Sequence, residues 1–375
     1  MKSIETLTID AIAYGGEAVG RRSSGAVCFV RGALPGEVVE VEITEEKKRF
    51  SRGKVLSLIT PSPHRITPAC PYAAVCPGCA FQHCTYDLET EWKQKQFERF
   101  LQKFPGERMA FFAAPERFFQ RNRLKLACES GKAGYRGFDN RTLVPVDRCL
   151  LVQEEINTAL QNTAIPAEGT LFFRSTPSWS GEVREFQEEY LTETIPGAGS
   201  FKVPVQGFFQ TNIAAAAELC ARVVQTVREF DAKNMLELFC GVGVFSIAAA
   251  LQIPQLQCHG IELAVSSIET AKLNAAFYGL EKRCTFQAGD AADFPAGKYD
   301  LLLLDPPRNG LEKKLVRKVL KSSIPVLVYI SCGPDTLQRD LELLSERYTV
   351  LRSGALDMFP CTAHFETFTI LTLSK

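Results

Sequence analysis

Three segments in the last quarter of the chain carry side chains suited to covalent chemistry. Leu301-Leu-Leu-Leu-Asp305-Pro-Pro-Arg308 sets an acid at the end of an apolar run, and two prolines stop the chain there as a rigid loop. Val326-Leu-Val-Tyr-Ile-Ser331-Cys332-Gly333-Pro334 repeats the arrangement with a thiol. Open α/β sheets bind ligands at the carboxyl ends of their strands, so Asp305 and Cys332 share the edge where chemistry is done. The ordinary alternative for such a thiol is a buried, inert cysteine. A cysteine at a strand end before Gly-Pro, beside Asp-Pro-Pro-Arg, fits that alternative poorly. Asp357-Met-Phe-Pro360-Cys-Thr362-Ala-His364-Phe-Glu366 is a polar loop entering a last strand. Glu366 is there either a plain surface carboxylate or an acid–base group beside a histidine.

A nucleotide loop precedes these segments. Glu237-Leu-Phe239-Cys-Gly241-Val-Gly243 ends a strand and opens an apolar helix, and glycines at that turn let backbone N–H groups approach a ligand. Glu262 follows twenty-one residues after Gly241, where a carboxylate accepts ribose hydroxyls. Asp290, in Ala-Gly-Asp after the third strand, suits the adenine end of a nucleotide. A dinucleotide dehydrogenase has a similar fingerprint, but Ser246 stands at its third glycine position.

Thirteen cysteines are many for a reducing compartment, and in a chain this large they point to metal or catalysis rather than a disulfide scaffold. Cys70, Cys76 and Cys79 lie close together in a Pro-rich stretch with no periodicity, Pro61 to Cys84, which needs an external staple. Zinc with His83 or Cys84 as fourth ligand is the plain chemical reading. Cys28, Cys128, Cys220, Cys258 and Cys284 read as buried small hydrophobes.

The elements that must position these groups fall into three expected domains. Residues 1–60 alternate β-prone runs with glycine turns, as a small OB-like β-barrel does, and end in the basic cluster Lys47, Lys48, Arg49, Arg52 and Lys54. Residues 61–204 form a small α/β central domain. It holds a helix over 87–104 with Leu88, Trp92, Phe97, Phe100, Leu101 and Phe104 on its apolar face. It also interleaves Phe118, Phe119 and Tyr135 with Arg121, Arg123, Lys125 and Arg136, a surface suited to unstacked RNA bases and phosphates. Residues 205–375 alternate strands and helices as a doubly wound, Rossmann-like α/β domain. The net charge of zero excludes a general polyelectrolyte binder, so basic surface must be local. Neither a spanning apolar helix nor a signal peptide is legible, which predicts a cytoplasmic protein with no membrane association.

In combination these motifs resemble the RNA 5-methyluridine methyltransferases, and the resemblance spans essentially the whole chain. Gly25-Ala-Val-Cys-Phe-Val-Arg-Gly-Ala-Leu-Pro-Gly-Glu37 is similar to the TRAM domain of that family. Gly207-Phe-Phe-Gln210-Thr-Asn212 resembles the segment whose glutamine helps bind S-adenosylmethionine, and Phe239 replaces the first glycine of the common methyltransferase loop, as it does in the family. The resemblance implies a class I methyltransferase fold, Cys332 as nucleophile and Glu366 as base. It implies Gln210, Phe239, Gly241, Glu262, Asp290 and Asp305 around S-adenosylmethionine. It makes Cys149 the fourth ligand, with Cys70, Cys76 and Cys79, of a 4Fe–4S cluster. Gly333 stands where asparagine is more usual, and Cys361 where a larger polar residue is common.

The chemistry of that family explains the residue types. Carbon 5 of uracil is a poor nucleophile, and a thiolate added to C6 turns it into an enolate carbon able to attack the sulfonium methyl. The C5 proton must then be removed before the thiol can leave, and the target base must be extruded from any stack. Asp305 and Arg308 suit orientation of the uracil or polarisation of its carbonyls. The barrel plus cysteine cluster looks like the 23S rRNA-acting members, with the tRNA T-loop uridine as the alternative. Cytosine-5 methylation would bring a second motif cysteine. An RNA chaperone or ribosome assembly factor is the non-enzyme alternative, and intact Cys332, Glu366 and Gln210 speak against it. No protein partner is inferred.

Overall fold

The structure is a computed structural model that describes residues 3–295 and 297–374. Five strands, β1 (Ile4–Ile12), β2 (Ala18–Arg21), β3 (Val27–Arg31), β4 (Val38–Glu46) and β5 (Phe50–Thr60), close into a barrel in the order β1-β2-β3-β5-β4. Alternation explains the closure: Leu7, Ile9, Val39, Val41 and Ile43 point inward and form one core, while their neighbours face solvent. Strand β2 is only four residues long and contains Gly20. The basic residues Lys47, Lys48 and Arg49 form the exposed turn between β4 and β5.

Helix α1 (Tyr86–Leu101) follows the cysteine-rich stretch and stops short of the expected residue 104. Its Trp92, Phe97 and Leu101 are buried as the periodicity predicts, but Glu89, Lys93 and Gln96 are buried on the same helix. Strand β6 (Glu107–Arg108) comes next, then β7 (Arg123–Glu129), β8 (Lys132–Arg136), β9 (Leu143–Pro145), α2 (Glu154–Asn162), β10 (Glu168–Ser175) and β11 (Ser180–Glu182). Strands β7 to β11, without α2, make a five-stranded sheet in the order β11-β10-β7-β8-β9, and α2 packs Ile156 and Leu160 against it. The hairpin β12 (Tyr190–Ile195) and β13 (Gly199–Pro204) is separate.

The rest of the chain alternates α3 (Ile213–Glu229), β14 (Asn234–Leu238), α4 (Val244–Gln252), β15 (Gln257–Glu262), α5 (Val265–Phe277) and β16 (Cys284–Ala288). It ends with β17 (Leu301–Leu304), α6 (Lys313–Ser322), β18 (Val326–Ser331), α7 (Pro334–Leu344), β19 (Tyr348–Leu356) and β20 (Glu366–Leu373). These strands and β6 form one sheet in the order β16-β15-β14-β17-β18-β20-β19-β6. Strands β14 to β18 are parallel, and β20 runs antiparallel between β18 and β19. Helices cover both faces, as expected for the doubly wound domain. Leu301 and Leu303 of β17 enter one core with α3 and α4, and Leu302 and Leu304 enter the other with α1, α6 and α7. A bulge between Val350 and Arg352 interrupts the alternation of β19.

The expected boundary after residue 204 falls behind a hairpin that shares this large core: Ile195, Phe201 and Val203 pack with Leu219 and Val223 of α3. Helix α1 likewise packs Phe97 and Leu101 into the opposite core of the large sheet. Among the described residues no helix is long and apolar enough to cross a membrane.

Candidate active site and cysteine cavity

Register places the proposed nucleophile and base. Ser331 of β18 pairs with Thr367 of β20, and Thr367 Oγ1 donates to the Ser331 carbonyl at 2.9 Å. Continued one step, the same register sets Cys332 near Glu366, whose charge acts on the thiol. In parallel register, Leu304 pairs with Tyr329, so Asp305 emerges from the neighbouring strand at the same edge. The Arg308 loop is tied down from beneath, because Thr336 Oγ1 donates to the carbonyls of Arg308 (3.0 Å) and Gly333 (2.8 Å). A Cβ on Gly333 would come within 2.6 Å of that hydroxyl, so glycine in place of asparagine makes room for Thr336.

Burial sets the charge state of this edge. The Cys332 thiol is pushed up to about 11, first by burial and then by the Glu366 carboxylate, while the nearby Arg308 guanidinium opposes the shift. Glu366 is 6 % exposed, and burial followed by the charge of Asp305 holds it well above the usual carboxylate range. Asp305 is pushed up to about 7 by burial. The thiol and the acids thus resist ionising together, because like charges this close raise each other. His364 is lowered, chiefly by burial and secondly by Arg308. Tyr14, from the barrel segment, reaches this neighbourhood: its ring lies edge-on to Phe100 at 5.1 Å, and burial raises its phenol to about 12.

The loop from Glu237 to Gly243 turns tightly between β14 and α4. Phe239 has φ +65°, the left-handed conformation that a glycine would adopt without strain, and its N–H donates to the Ile261 carbonyl at 2.8 Å. Gly243 starts α4 at φ +82°, and a Cβ there would come within 2.7 Å of the Phe286 ring. Glu262 receives a weak hydrogen bond from the Gly241 N–H at 3.4 Å and a good one from the Ala264 N–H at 2.9 Å. Asp290 Oδ1 accepts from the Ala292 N–H at 2.7 Å, capping a short 3-10 turn. Gln210 is half-buried, and its carbonyl accepts from Asn122 Nδ2 at 3.2 Å. The fully buried Glu237 is pushed up to about 8 by burial and takes both the N–H and the hydroxyl of Ser246, the residue at the third glycine position.

Cys70, Cys76, Cys79 and Cys149 line one cavity of about 60 Å³ together with Gln82, Arg121 and Tyr135. Cys149 comes from the far side of the five-stranded sheet, seventy residues beyond Cys79. N–H and O–H donors point at the thiols: Gln82 Nε2 to Cys79 Sγ at 3.2 Å, the Gly78 N–H to Cys76 Sγ at 3.4 Å and Tyr135 Oη to Cys149 Sγ at 3.8 Å. His83 and Cys84, the alternative fourth ligands, face elsewhere, with His83 Nε2 3.5 Å from the Ala33 carbonyl and Cys84 Sγ 3.3 Å from that of Phe81. Among the described residues no group of three or more His, Cys, Asp or Glu converges to hold a metal ion. The five cysteines read as small hydrophobes are all buried.

The basic–aromatic segment divides its labour. Tyr135 and Arg121 line the cysteine cavity, Arg123 stacks on Phe172 at 4.6 Å and Lys125 is exposed. The Arg121 main chain bridges to Asn212 beside the Gln210 loop. Sequence reasoning missed a buried quartet under the Glu366 loop: Glu89, Lys93, Arg117 and Asp357. Its only sequence signal is the i,i+4 pair Glu89/Lys93 on the same face as Trp92.

The TRAM domain family matches residues 3–56, and the family described as tRNA (Uracil-5-)-methyltransferase matches residues 180–283 and 279–374. A 23S rRNA (uracil(1939)-C(5))-methyltransferase RlmD of Salmonella paratyphi A is 29% identical, over 98% of this chain and 96% of that protein. The protein of the same name from Marinomonas sp. is 26% identical, over 99% and 96%. The crystal structure of the Pyrococcus abyssi tRNA (uracil-54, C5)-methyltransferase in complex with S-adenosyl-L-homocysteine shares the fold, with a TM-score of 0.77 at 23% identity over 99% of this chain and 100% of that one. The uracil-methyltransferase match extends over more than half of the chain and takes in both the nucleotide loop and the Cys332–Glu366 edge, so this chain belongs to the tRNA (uracil-5-)-methyltransferase family of S-adenosylmethionine-dependent RNA uracil-C5 methyltransferases.

Proposed function

We propose that this chain methylates C5 of a uridine in 23S rRNA, with Cys332 as nucleophile and Glu366 as base. The observation that carries the reading is the placement of Cys332 near Glu366 at the strand ends, beside Asp305 and Arg308. The Cys332 thiolate adds to C6, and the electron pair displaced onto C5 and O4 makes an enolate. C5 takes the methyl group, and S-adenosylhomocysteine leaves. Glu366 removes the C5 proton, the C5–C6 double bond re-forms and the thiolate departs. Arg308 favours the thiolate that must form, and once sulfur is bonded to C6 its charge no longer opposes ionisation of Glu366. Gln210, Phe239, Gly241, Glu262, Asp290 and Asp305 surround the methyl donor in this reading. Ribosomal RNA is preferred because the relatives matched along nearly the whole chain carry that substrate in their names. The test is to map 5-methyluridine in rRNA and tRNA from a strain lacking the gene. Loss of one 23S site is expected; loss of the tRNA T-loop modification instead would assign the tRNA reading.

The domain limits proposed are 1–60 for the barrel, 61–204 for the central part and 205–375 for the methyltransferase, with α1, β6 and the β12–β13 hairpin packed onto the last of these. Cys70, Cys76, Cys79 and Cys149 would hold a 4Fe–4S cluster. Four thiols around one cavity, three of them beside a hydrogen-bond donor, fit a cluster whose irons each take one thiolate. The cluster would supply a cross-link between the Pro-rich stretch and the five-stranded sheet. The site of action is the cytoplasm.

RNA would lie across the outer face of β7. Replacing Arg123 and Lys125 by alanine should weaken RNA binding and reduce the slope of log K against log salt by roughly one for each phosphate no longer neutralised. S-adenosylmethionine affinity should not change. An unaltered slope would return both residues to ordinary surface.

A further inference from the structure

The loop Asp357–Phe365 delivers Glu366 to the catalytic edge, and what holds this loop is unusual for a protein interior. Glu89, Lys93 and Asp357 have no solvent exposure, and Arg117 joins them with its side chain 12 % exposed. Lys93 Nζ spends its three donors on Glu89 Oε1 (2.7 Å), Asp357 Oδ1 (2.7 Å) and the Phe359 carbonyl (3.1 Å). Tyr86 Oη donates to the second Asp357 oxygen at 2.8 Å. The other Glu89 oxygen takes Arg117 Nε (3.1 Å) and Nη2 (2.9 Å). The two acids and two bases balance in formal charge.

The same network fixes the backbone of the loop. Cys361 sits at φ +64°, a left-handed conformation that costs a non-glycine residue and persists only where its surroundings over-determine it. Its N–H donates to Glu89 Oε1 at 2.6 Å. Its carbonyl accepts from the N–H groups of Ala80 (2.7 Å) and Phe81 (3.1 Å). Both backbone polar groups of Cys361 are therefore held by α1 or the cysteine segment. A buried ion network is a poor source of stability compared with apolar packing, so its effect is better sought in geometry than in folding energy.

We infer that Glu89, Lys93 and Asp357 are positioning residues for the methyl-transfer reaction, holding the Asp357–Phe365 loop so that the Glu366 carboxylate meets the C5 proton. This rests on the reading of Glu366 as the base. The three hold the loop and not the Cys332 strand, so thiolate addition and methyl transfer proceed without them, and proton removal with elimination of Cys332 is the step they serve. A base displaced by about 1 Å loses roughly 10²-fold in rate.

The test is a single-turnover reaction of the full chain with methyl-labelled S-adenosylmethionine and total RNA from a strain lacking the gene. Formation and decay of the labelled RNA–protein adduct are followed on denaturing gels. Lys93→Met should form adduct at close to the wild-type rate and release it about 10²-fold more slowly. Tyr86→Phe, which removes the hydrogen bond to Asp357 and the one accepted from the Ala114 N–H and leaves the charges paired, should show the same skew at smaller size and decides the matter if Lys93→Met does not fold. Equal slowing of formation and release, or release at the wild-type rate, in a folded variant overturns the proposal. Glu366→Gln is run alongside. If it accumulates adduct and the network variants do not, the base reading stands and the positioning role falls. If it releases product normally, the base reading itself is wrong and the positioning role goes with it.

Discussion

Cys332→Ala is expected to abolish methyl transfer, whereas Glu366→Gln should stop the reaction one step later with the methylated RNA still bonded to the protein. The two residues lie near each other, yet their losses differ in kind. Without thiolate addition C5 never becomes nucleophilic, so the alanine variant leaves RNA unlabelled and no adduct forms. With the amide at 366, addition and methyl transfer proceed, and loss of a general base slows the remaining step by about 10²–10⁴-fold. Label from the methyl donor should then migrate with protein on a denaturing gel, and the double variant should show none. Turnover of Glu366→Gln at the wild-type rate would assign proton removal to another group. An active Cys332→Ala would end the covalent mechanism.

The pH dependence of adduct formation has a direction fixed by the same edge. Burial and the Glu366 carboxylate hold the Cys332 thiol up at about 11 in the free protein, so its thiolate is scarce at neutral pH. The rate of addition should therefore climb as pH rises through the neutral range and keep climbing past about 8.5, where a thiol of ordinary pKa would level off. Glu366, held well above the usual carboxylate range by its own burial, opposes the thiolate wherever it is charged. A rate independent of pH between about 6 and 9 would mean that bound RNA, rather than Arg308, generates the thiolate.

The residues proposed for the catalytic edge stand out in the sequence because strand, stop and reactive group follow one another in the chain. An apolar run ending in Asp-Pro-Pro or Ser-Cys-Gly-Pro states both where a strand ends and what it presents. That Cys332 lies near Glu366 was not legible, since antiparallel register between β18 and β20 is set by pairing between segments separated by a helix and another strand. Phe239 shows the opposite limit. Its type argues against a glycine-like turn, and only family resemblance suggested that the turn survives; the chain holds φ at +65°. The burial of Lys93 and Glu89 was not legible, because helical periodicity records polarity and not partners. Asp357, 264 residues beyond Lys93 in sequence, makes them interior groups.

Protein purified without oxygen should be brown, with about four irons per chain and no stoichiometric zinc, because four thiolates around one cavity suit a 4Fe–4S cluster. Cys76→Ser and Cys149→Ser should each bleach it. The consequence for the fold follows from where the ligands sit. Cys70, Cys76 and Cys79 belong to a stretch with no regular helix or strand, and Cys149 belongs to the segment between β9 and α2. These two segments are also joined by a hydrogen bond from Tyr72 Oη to Asp147 at 2.5 Å, exposed to water, and by the packing of Tyr72 on the sheet core. An exposed hydrogen bond contributes little, so a bound cluster would add to the tie between the two segments. A loss of about 3 kcal/mol would lower Tm by roughly 6–12 °C for a unit of this size. The loosened stretch includes Ala80 and Phe81, which hold the Cys361 carbonyl, so adduct release should slow in the bleached variants while S-adenosylmethionine affinity is kept. A colourless protein with one zinc would overturn the cluster assignment, and bleached variants with unchanged Tm would remove its structural role.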